Sequence, residues 1–166
     1  MSHTSLFAIV AAALMFGAAP ALAHEPPAGS SAAAAVEASA RAPAAVVDAF
    51  HAALKAGKIS VALGHLSEDA VVFESGGVER GRAEYASHHA AADAAFAQAV
   101  PSRTTRRAGR TSGDVAWIMT EGRTTGTYKE KPVDRVTTET MLLRRVGGVW
   151  RIVHVHWSSA AARPGA

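Results

Sequence analysis

Apolar residues along this 166-residue chain change their spacing once, from a helical period in the first half to a strand period in the second. Between Pro43 and Gly57 they recur every three to four positions, which predicts a first helix with proline in its opening turn and glycine at its end. A short second helix is predicted between Ser60 and Leu66, and the alanine-rich segment from Arg82 to Ala99 predicts a third, long helix. Three helices are therefore expected before the pattern changes.

The strand pattern begins with a short apolar run from Ala70 to Ser75, followed by the turn pair Gly76-Gly77 and a brief return strand around Val78 and Glu79. After the third helix, alternation with period two predicts four longer strands, over Ser102–Thr111, Val115–Tyr128, Val133–Val146 and Val149–Ser158. Helices followed by an antiparallel meander predict an α+β domain in which the helices cover one face of a strongly curved antiparallel sheet. Such a sheet closed by helices forms a cone with a pocket.

The last strand places two imidazoles on one face, because His154 and His156 are two residues apart. The preceding Gly147-Gly148 predicts a two-residue hairpin. Counting back from that turn pairs Met141 with His154 and Glu139 with His156. The sequence thus predicts a carboxylate directly opposite a histidine.

This pairing supports three interpretations. A carboxylate that orients His156 would raise its basicity, so Glu139, His156 and His154 are candidate catalytic residues for proton abstraction beside a carbonyl or for hydration and dehydration. Alternatively, His154, His156 and Glu139 could hold zinc or copper, with His88, His89 or Glu74 completing the coordination. The third interpretation is a structural pair without chemistry.

Five further side chains are candidates for ligand binding, namely Tyr85, His89, Glu74, Trp117 and Glu121. Tyr85 offers a phenol from the long helix, and His89 on the same stripe faces either the pocket or the core. Glu74, in an apolar strand, either lies at the pocket mouth or pairs with a neighbouring arginine. The register of Glu121 is open, because a slip of one residue moves it from beside Glu139 to the opposite face.

The N-terminal residues predict an exported protein. An apolar run from Leu6 to Ala19 is followed by a small-x-small pattern ending at Ala23, which predicts a signal peptide over residues 1–23 and a periplasmic or secreted destination. Cleavage there would expose His24, whose amine and imidazole could chelate copper. No later apolar run is long enough to span a membrane, and the absence of cysteine excludes disulfides.

The remaining residues divide into a flexible Ala/Pro-rich tether over 24–42, one domain over 43–159 and a disordered tail over 160–166. The formal charge of +3 is modest. The densest basic patch lacks interleaved aromatic side chains, so nucleic acid is not an expected partner; the patch comprises Arg103, Arg106, Arg107 and Arg110.

Two stretches carry a family resemblance: LSEDAVVFESGGVERGRAEY at residues 66–85 and GGVWRIVHVHWSS at residues 147–159. With the predicted element order, they resemble the SnoaL-like branch of the nuclear transport factor 2 (cystatin-like cone) superfamily. The resemblance implies a homodimer packed through sheet surfaces and a pocket on the concave side, with His154 and His156 at positions where such proteins often carry pocket-facing histidines. A tyrosine and aspartate in the arrangement of ketosteroid isomerases is not recognisable.

The superfamily includes isomerases, cyclases, dehydratases and binding modules, so its fold does not specify an activity. We therefore expect an exported protein that binds a small, partly apolar ligand, with His/Glu acid-base chemistry of isomerase or hydratase type. A periplasmic zinc- or copper-binding protein and a non-catalytic dimerisation module are the alternatives.

Overall fold

A computed structural model describes residues 35–163, in which four α-helices cover a six-stranded sheet. In chain order the elements are α1 (Arg41–Lys55), α2 (Ile59–His65), β1 (Leu66–Glu74), β2 (Gly77–Arg80), α3 (Arg82–His88), α4 (Ala90–Ala99), β3 (Ser102–Ser112), β4 (Val115–Tyr128), β5 (Lys131–Val146) and β6 (Val149–Ala161). The predicted α+β cone is confirmed, with the helices on the concave side of a curved sheet.

The sheet differs from the prediction in one respect, because it is mixed and not wholly antiparallel. Its strand order is β2-β1-β6-β5-β4-β3, and β1 runs parallel to β6. The meander from β3 to β6 is antiparallel throughout, as the alternating pattern predicts. No short hairpin joins β1 to β6, so no turn constrains their relative direction.

The predicted long helix from Arg82 to Ala99 is divided in two at His89, whose backbone has φ −121° and ψ −34°. Alanine favours a continuous helix, but it offers few side-chain contacts that could hold one straight. The His89 ring instead contacts the buried carboxylate of Glu79 on β2. A tertiary contact therefore outweighs local propensity at this position.

The buried core lies between α1 and the concave face. It includes Val47, Phe50, Leu66, Ile118, Met141, Leu143, Ile152 and Val155, all 3% exposed or less. Burying a side chain of this size contributes about 1.5–3 kcal/mol relative to leaving it in water. This layer holds α1 against β4, β5 and β6, and it thereby positions the polar residues beside it.

Part of the segment assigned to the tether packs on the domain. The backbone of Val36 bridges to Gly109 on β3, and Ala40 is fully buried. A Cβ atom added at Gly109 would lie 2.8 Å from the Ile118 side chain, so glycine makes room for this packing. Ordered structure thus begins before residue 43.

At the other end, β6 continues to Ala161, two residues into the predicted tail. The predicted signal peptide, residues 24–34 of the predicted tether and the candidate copper ligand His24 lie outside the described residues. Within residues 35–163, no helix combines the length and apolar character needed to cross a membrane.

The β5–β6 hairpin begins as predicted, with φ of 58° and 80° at Gly147 and Gly148. Leu143 pairs with Ile152, but the next pair is Leu142 with His154, so Val153 is the extra residue of a β-bulge.

From the bulge onward every partner is displaced by one. Met141 faces Val155, and Glu139 faces Trp157. The predicted pairing of Glu139 with His156 is wrong, and so is that of Met141 with His154. The physical reason is burial: without the bulge, His154 would occupy the core position of Val155, and a buried imidazole without a partner is costly.

Candidate functional site

A row of polar side chains crosses the concave face next to the apolar core. Adjacent residues on neighbouring strands define this polar row, which comprises Arg107, Thr120, Glu139, Trp157 and Glu74. Each row member on β4, β5 and β6 is two residues from a buried core position, and residues two apart share a face. The polar row therefore faces the helices.

Glu139 lies at the centre of the row and is only 9% exposed. Its Oε2 atom accepts a hydrogen bond of 2.7 Å from the indole Nε1 of Trp157, its neighbour on β6. The same oxygen accepts a second bond of 2.7 Å from Nε2 of His51 on α1. Helix and sheet therefore meet at one carboxylate oxygen.

These contacts keep Glu139 charged. Burial acts to raise the pKa of Glu139, but the hydrogen bonds from His51 and Trp157 and the charge of Arg107 outweigh it and hold the pKa below its ordinary value. Glu139 is therefore an ionised acceptor in a poorly solvated position.

Three neighbours in the row carry buried polar atoms without a hydrogen bond. Among the described residues, the buried side-chain atoms in this condition are Nε of Arg107, Oγ1 of Thr120 and Oε1 of Glu139. They lie on β3, β4 and β5 at directly paired positions. Because buried polar atoms are nearly always hydrogen-bonded, three adjacent exceptions need an explanation, and a polar molecule bound beside them would provide one.

α1 supplies two polar residues to the edge of the row. Asp48 accepts a hydrogen bond from Nη1 of Arg107, and His51, one turn further along, reaches Glu139. The side chain of His51 is 43% exposed, whereas that of Glu139 is buried. His51 therefore links the buried carboxylate to the solvent-exposed side of α1.

On the other side of Trp157 lies an acidic cluster, defined here as Glu74, Glu79 and Asp93. Asp93 accepts a 2.8 Å hydrogen bond from the Tyr85 hydroxyl, and Glu79 contacts His89. The acidic cluster shares Glu74 with the polar row, and the Tyr85 ring, whose hydroxyl bonds to Asp93, lies 6.4 Å from the Trp157 ring between centroids.

Burial dominates the ionisation of this cluster. Desolvation raises the pKa of Asp93 despite the hydrogen bond from Tyr85, and desolvation together with the charge of Asp93 raises the pKa of Glu74. Burial also raises the pKa of Tyr85 far above its ordinary range, so the hydroxyl stays protonated. Tyr85 therefore donates a proton in its hydrogen bond and is not a base.

Aromatic packing occupies the middle of the cone. The ring of Trp157 stacks on Phe50 at 6.3 Å and lies tilted against Tyr85. Two cavities of about 390 and 240 Å³ lie elsewhere, and neither includes a residue of the polar row or the acidic cluster. Glu139 and Tyr85 therefore share no pocket with His156, which is on the opposite face of the sheet.

The sheet separates the predicted site residues into two groups. Glu139, Glu74, Tyr85 and His89 lie on the concave side, whereas His154, His156, Trp117 and Glu121 lie on the convex face. The convex position of Glu121 follows from the β4–β5 register, in which Glu139 pairs with Thr120 and Glu121 pairs with Thr138.

The two convex histidines do not converge on an ion. His154 donates from Nδ1 to the backbone oxygen of Val71, and the Phe73 ring packs against both imidazoles, which are 6.4 Å apart. Glu139 is on the other face of the sheet. Residues 35–163 contain no group of three or more histidines and carboxylates arranged to hold a metal. The predicted zinc or copper set of His154, His156 and Glu139 is therefore not assembled.

Sequence reasoning missed His51, Asp48, Arg107 and Thr120 as parts of the site. His51 lies four residues after the buried Val47 on α1, so a helical projection could have placed it at the edge of the apolar stripe. Arg107 and Thr120 carry no such signal. Their meeting depends on strand register, which includes an irregularity in β3 between Thr104 and Arg106.

Helices over the concave face of a curved mixed sheet, with a polar row centred on the buried Glu139, define a cone-shaped α+β domain. The chain belongs to the SnoaL-like domain family, which it matches over residues 44–162. No protein among those with curated descriptions matches it.

Several solved structures share the fold. A candidate ketosteroid isomerase from Shewanella frigidimarina is 36% identical, with a TM-score of 0.69 over 70% of this chain and 94% of that one. A candidate dehydratase of the NTF2-like family from Streptomyces avermitilis is 17% identical, with a TM-score of 0.64 over 75% and 97% of the two chains. A protein with a cystatin-like fold from Caulobacter vibrioides is 18% identical, with a TM-score of 0.61 over 74% and 89%.

Proposed function

We propose that the concave face binds a small, partly apolar molecule and that His51 and Glu139 transfer a proton to or from it. One observation carries this proposal: Glu139 is buried and ionised, and it binds His51 through one oxygen while the other oxygen has no partner. A buried carboxylate that orients an imidazole is a recurring arrangement for acid-base chemistry.

The proposed roles follow from the hydrogen bonds. His51 donates from Nε2 to Glu139, and this tautomer leaves Nδ1 with the lone pair of a base. Nε of Arg107 and Oγ1 of Thr120 are donors that can stabilise negative charge on a substrate oxygen. Proton abstraction beside a carbonyl fits these groups, and the likeness to a candidate ketosteroid isomerase supports the same class.

Exchange of carbonyl-adjacent protons in deuterated buffer tests this proposal. Cyclohexanone and 2-indanone would be incubated with the protein, and loss of the proton signal followed by NMR. We expect catalysed exchange that falls about 100-fold or more in His51→Ala, a typical contribution of a general base. The matched control is His156→Ala on the convex face, which should exchange at the wild-type rate. Equal rates in the two variants would refute the assignment of His51.

We also propose that the protein is exported and that cleavage follows Ala23. The support is the apolar run and the small-x-small pattern of the first residues. Fractionation of bacterial cells that express the full chain, with mass determination of the product, tests this. A product with an intact N-terminus in the cytoplasm would contradict it.

We propose, finally, that a second copy of the chain packs on the convex face. Phe73, Met119 and Val136 expose apolar surface there, and burying such surface stabilises association. Met119→Lys is expected to convert a dimer to a monomer in light scattering. Val61→Lys, at an exposed apolar position on α2, is the control and should leave the mass unchanged. A wild-type monomer at high concentration would rule the proposal out.

A further inference from the structure

The three unpartnered atoms of the polar row differ in hydrogen-bonding character. Nε of Arg107 can only donate, Oγ1 of Thr120 can donate or accept, and Oε1 of the ionised Glu139 can only accept. Neighbouring strands are about 4.8 Å apart, so the three positions span about two strand spacings. Any molecule that satisfies them must present an acceptor toward Arg107 on β3 and a donor toward Glu139 on β5, and it can present either to Thr120 on β4.

The charges around the row further restrict the ligand. Carboxylates surround it on several sides: Asp48 from α1, Glu139 within the row, and the acidic cluster beyond Trp157. The nearby guanidinium of Arg107 is already bonded to one of these carboxylates, that of Asp48. The concave face is thus richer in acid than the chain as a whole, whose formal charge is +3. An anionic ligand would be repelled.

We infer that the concave site selects an uncharged molecule with a carbonyl acceptor and a hydrogen-bond donor on adjacent atoms, as in a primary amide or a 2-hydroxyketone. The carbonyl oxygen accepts from Thr120 and Arg107, and the donor bonds to Oε1 of Glu139. The apolar remainder packs beside Trp157. This inference rests on the proposed function, because it names the class of ligand for the same face.

Two related head groups fail for opposite reasons. A carboxylate has acceptors but no donor for Glu139, and its charge opposes that of Glu139. An ammonium group has donors but no acceptor, so it leaves Nε of Arg107 unsatisfied. The inference therefore predicts different affinities for an amide, a carboxylate and an ammonium compound that carry the same apolar group.

Phenylacetamide, phenylacetate and phenethylamine supply this comparison at pH 7. Binding to the full-length protein would be followed by NMR titration of the indole N–H signals. We expect phenylacetamide to bind about tenfold more tightly than either charged probe, the effect of one satisfied hydrogen bond. Equal affinities, a preference for phenylacetate or phenethylamine, or no binding of any probe would overturn the inference.

Thr120→Val tests the contact itself, with Thr140→Val on the convex face of β5 as its control. Thr120→Val should weaken phenylacetamide about fivefold, the loss of one neutral hydrogen bond, and leave phenethylamine unchanged. Thr140→Val should alter neither. Glu139→Gln should narrow the gap between phenylacetamide and phenylacetate, because it removes the repelling charge. Identical behaviour of the two threonine variants would refute the assignment even if the glutamine variant does not fold.

The result of the binding experiments can be distinguished from that of the proton-exchange experiment. If phenylacetamide is preferred and no proton exchange is catalysed, the chemistry fails and the ligand class stands. If exchange depends on His51 and the three probes bind alike, the ligand class alone fails.

Discussion

The two faces of β5 and β6 hold their titratable residues in very different surroundings. On the concave face Glu139 is buried, ionised and bonded to both Trp157 and His51. On the convex face, His156 directly precedes Trp157 on β6. It is exposed, and its ring contacts that of Phe73. Functional sites usually hold their titratable groups in buried positions with fixed hydrogen-bond partners, as Glu139 is held. His156 is exposed and lacks such a position. The contrast shows that the two faces of the same strands give titratable groups different surroundings.

The largest expected effect comes from removing the buried carboxylate. Glu139→Ala leaves the Trp157 indole and His51 without their acceptor, so we expect the free energy of unfolding at pH 7 to fall by about 2–4 kcal/mol. Glu121→Ala removes an exposed carboxylate from the convex face and should change it by less than about 0.5 kcal/mol. Urea denaturation measures both. Similar losses would show that the two faces do not differ as described.

A second comparison removes one indole N–H donor from each face. Trp157→Phe keeps an aromatic ring but loses the indole N–H bonded to Glu139, and it should cost about 1–2 kcal/mol. Trp117→Phe on the convex face should cost less than about 0.5 kcal/mol, because it removes no hydrogen bond to a buried charge. Thermal unfolding of the pair checks this. A larger loss for Trp117→Phe would contradict the assignment.

Lowering the pH should remove part of the stability that ionised Glu139 contributes on the concave face. The folded pKa of Glu139 lies below its ordinary value of 4.5, so its ionisation contributes stability that is complete above that value and is lost as pH falls through the folded pKa. Wild type should therefore exceed Glu139→Gln in stability at neutral pH, and the gap should narrow below pH 4.5. Denaturation midpoints between pH 7 and pH 3 measure it, and a constant gap would refute the linkage.

The smallest expected effect is a gain in stability, from replacing Asp93. The folded pKa of Asp93 is raised from 3.8, chiefly by desolvation, so ionised Asp93 costs stability at neutral pH and the cost vanishes as pH falls through the folded pKa. Asp93→Asn keeps an acceptor for Tyr85 and should gain less than about 1 kcal/mol at pH 7, with no gain at low pH.

Asp69 provides the contrast for this measurement. The hydrogen bonds from Ser67 and Arg144 lower its pKa, so Asp69→Asn should bring no gain at pH 7. Thermal melts at neutral and acid pH compare the two variants. A stabilised Asp69→Asn, or a loss for Asp93→Asn at pH 7, would contradict the assigned directions.

Most of the fold could be predicted because it rests on local signals. Alternation over β3 to β6, the paired glycines at 147 and 148, and the apolar stripe of α1 each follow from neighbouring residues, and the structure confirms them. The break at His89 could not be predicted, since it depends on a contact with Glu79 from another element. The direction of β1 against β6 is likewise a long-range property.

The site was less predictable for the same reason. Sequence reasoning placed Glu139 beside β6 but gave it the wrong neighbour, because counting from the turn assumes that every residue pairs. One bulged residue, Val153, changes the face of all that follow. His51 was within reach of a helical projection, whereas the meeting of Arg107, Thr120 and Glu139 depends on two strand registers at once.

The amino-acid sequence alone thus specified the elements, their order and the α+β cone, because the spacing of apolar residues that predicts helices and strands depends only on residues close together in the chain. Tertiary packing decided which side chains share a face, through the preference of the core for Val155 over His154. That preference turned both histidines outward and left Glu139 with Trp157 and His51. The chemistry of the concave face was set by what could be buried, and burial is a property of the whole fold.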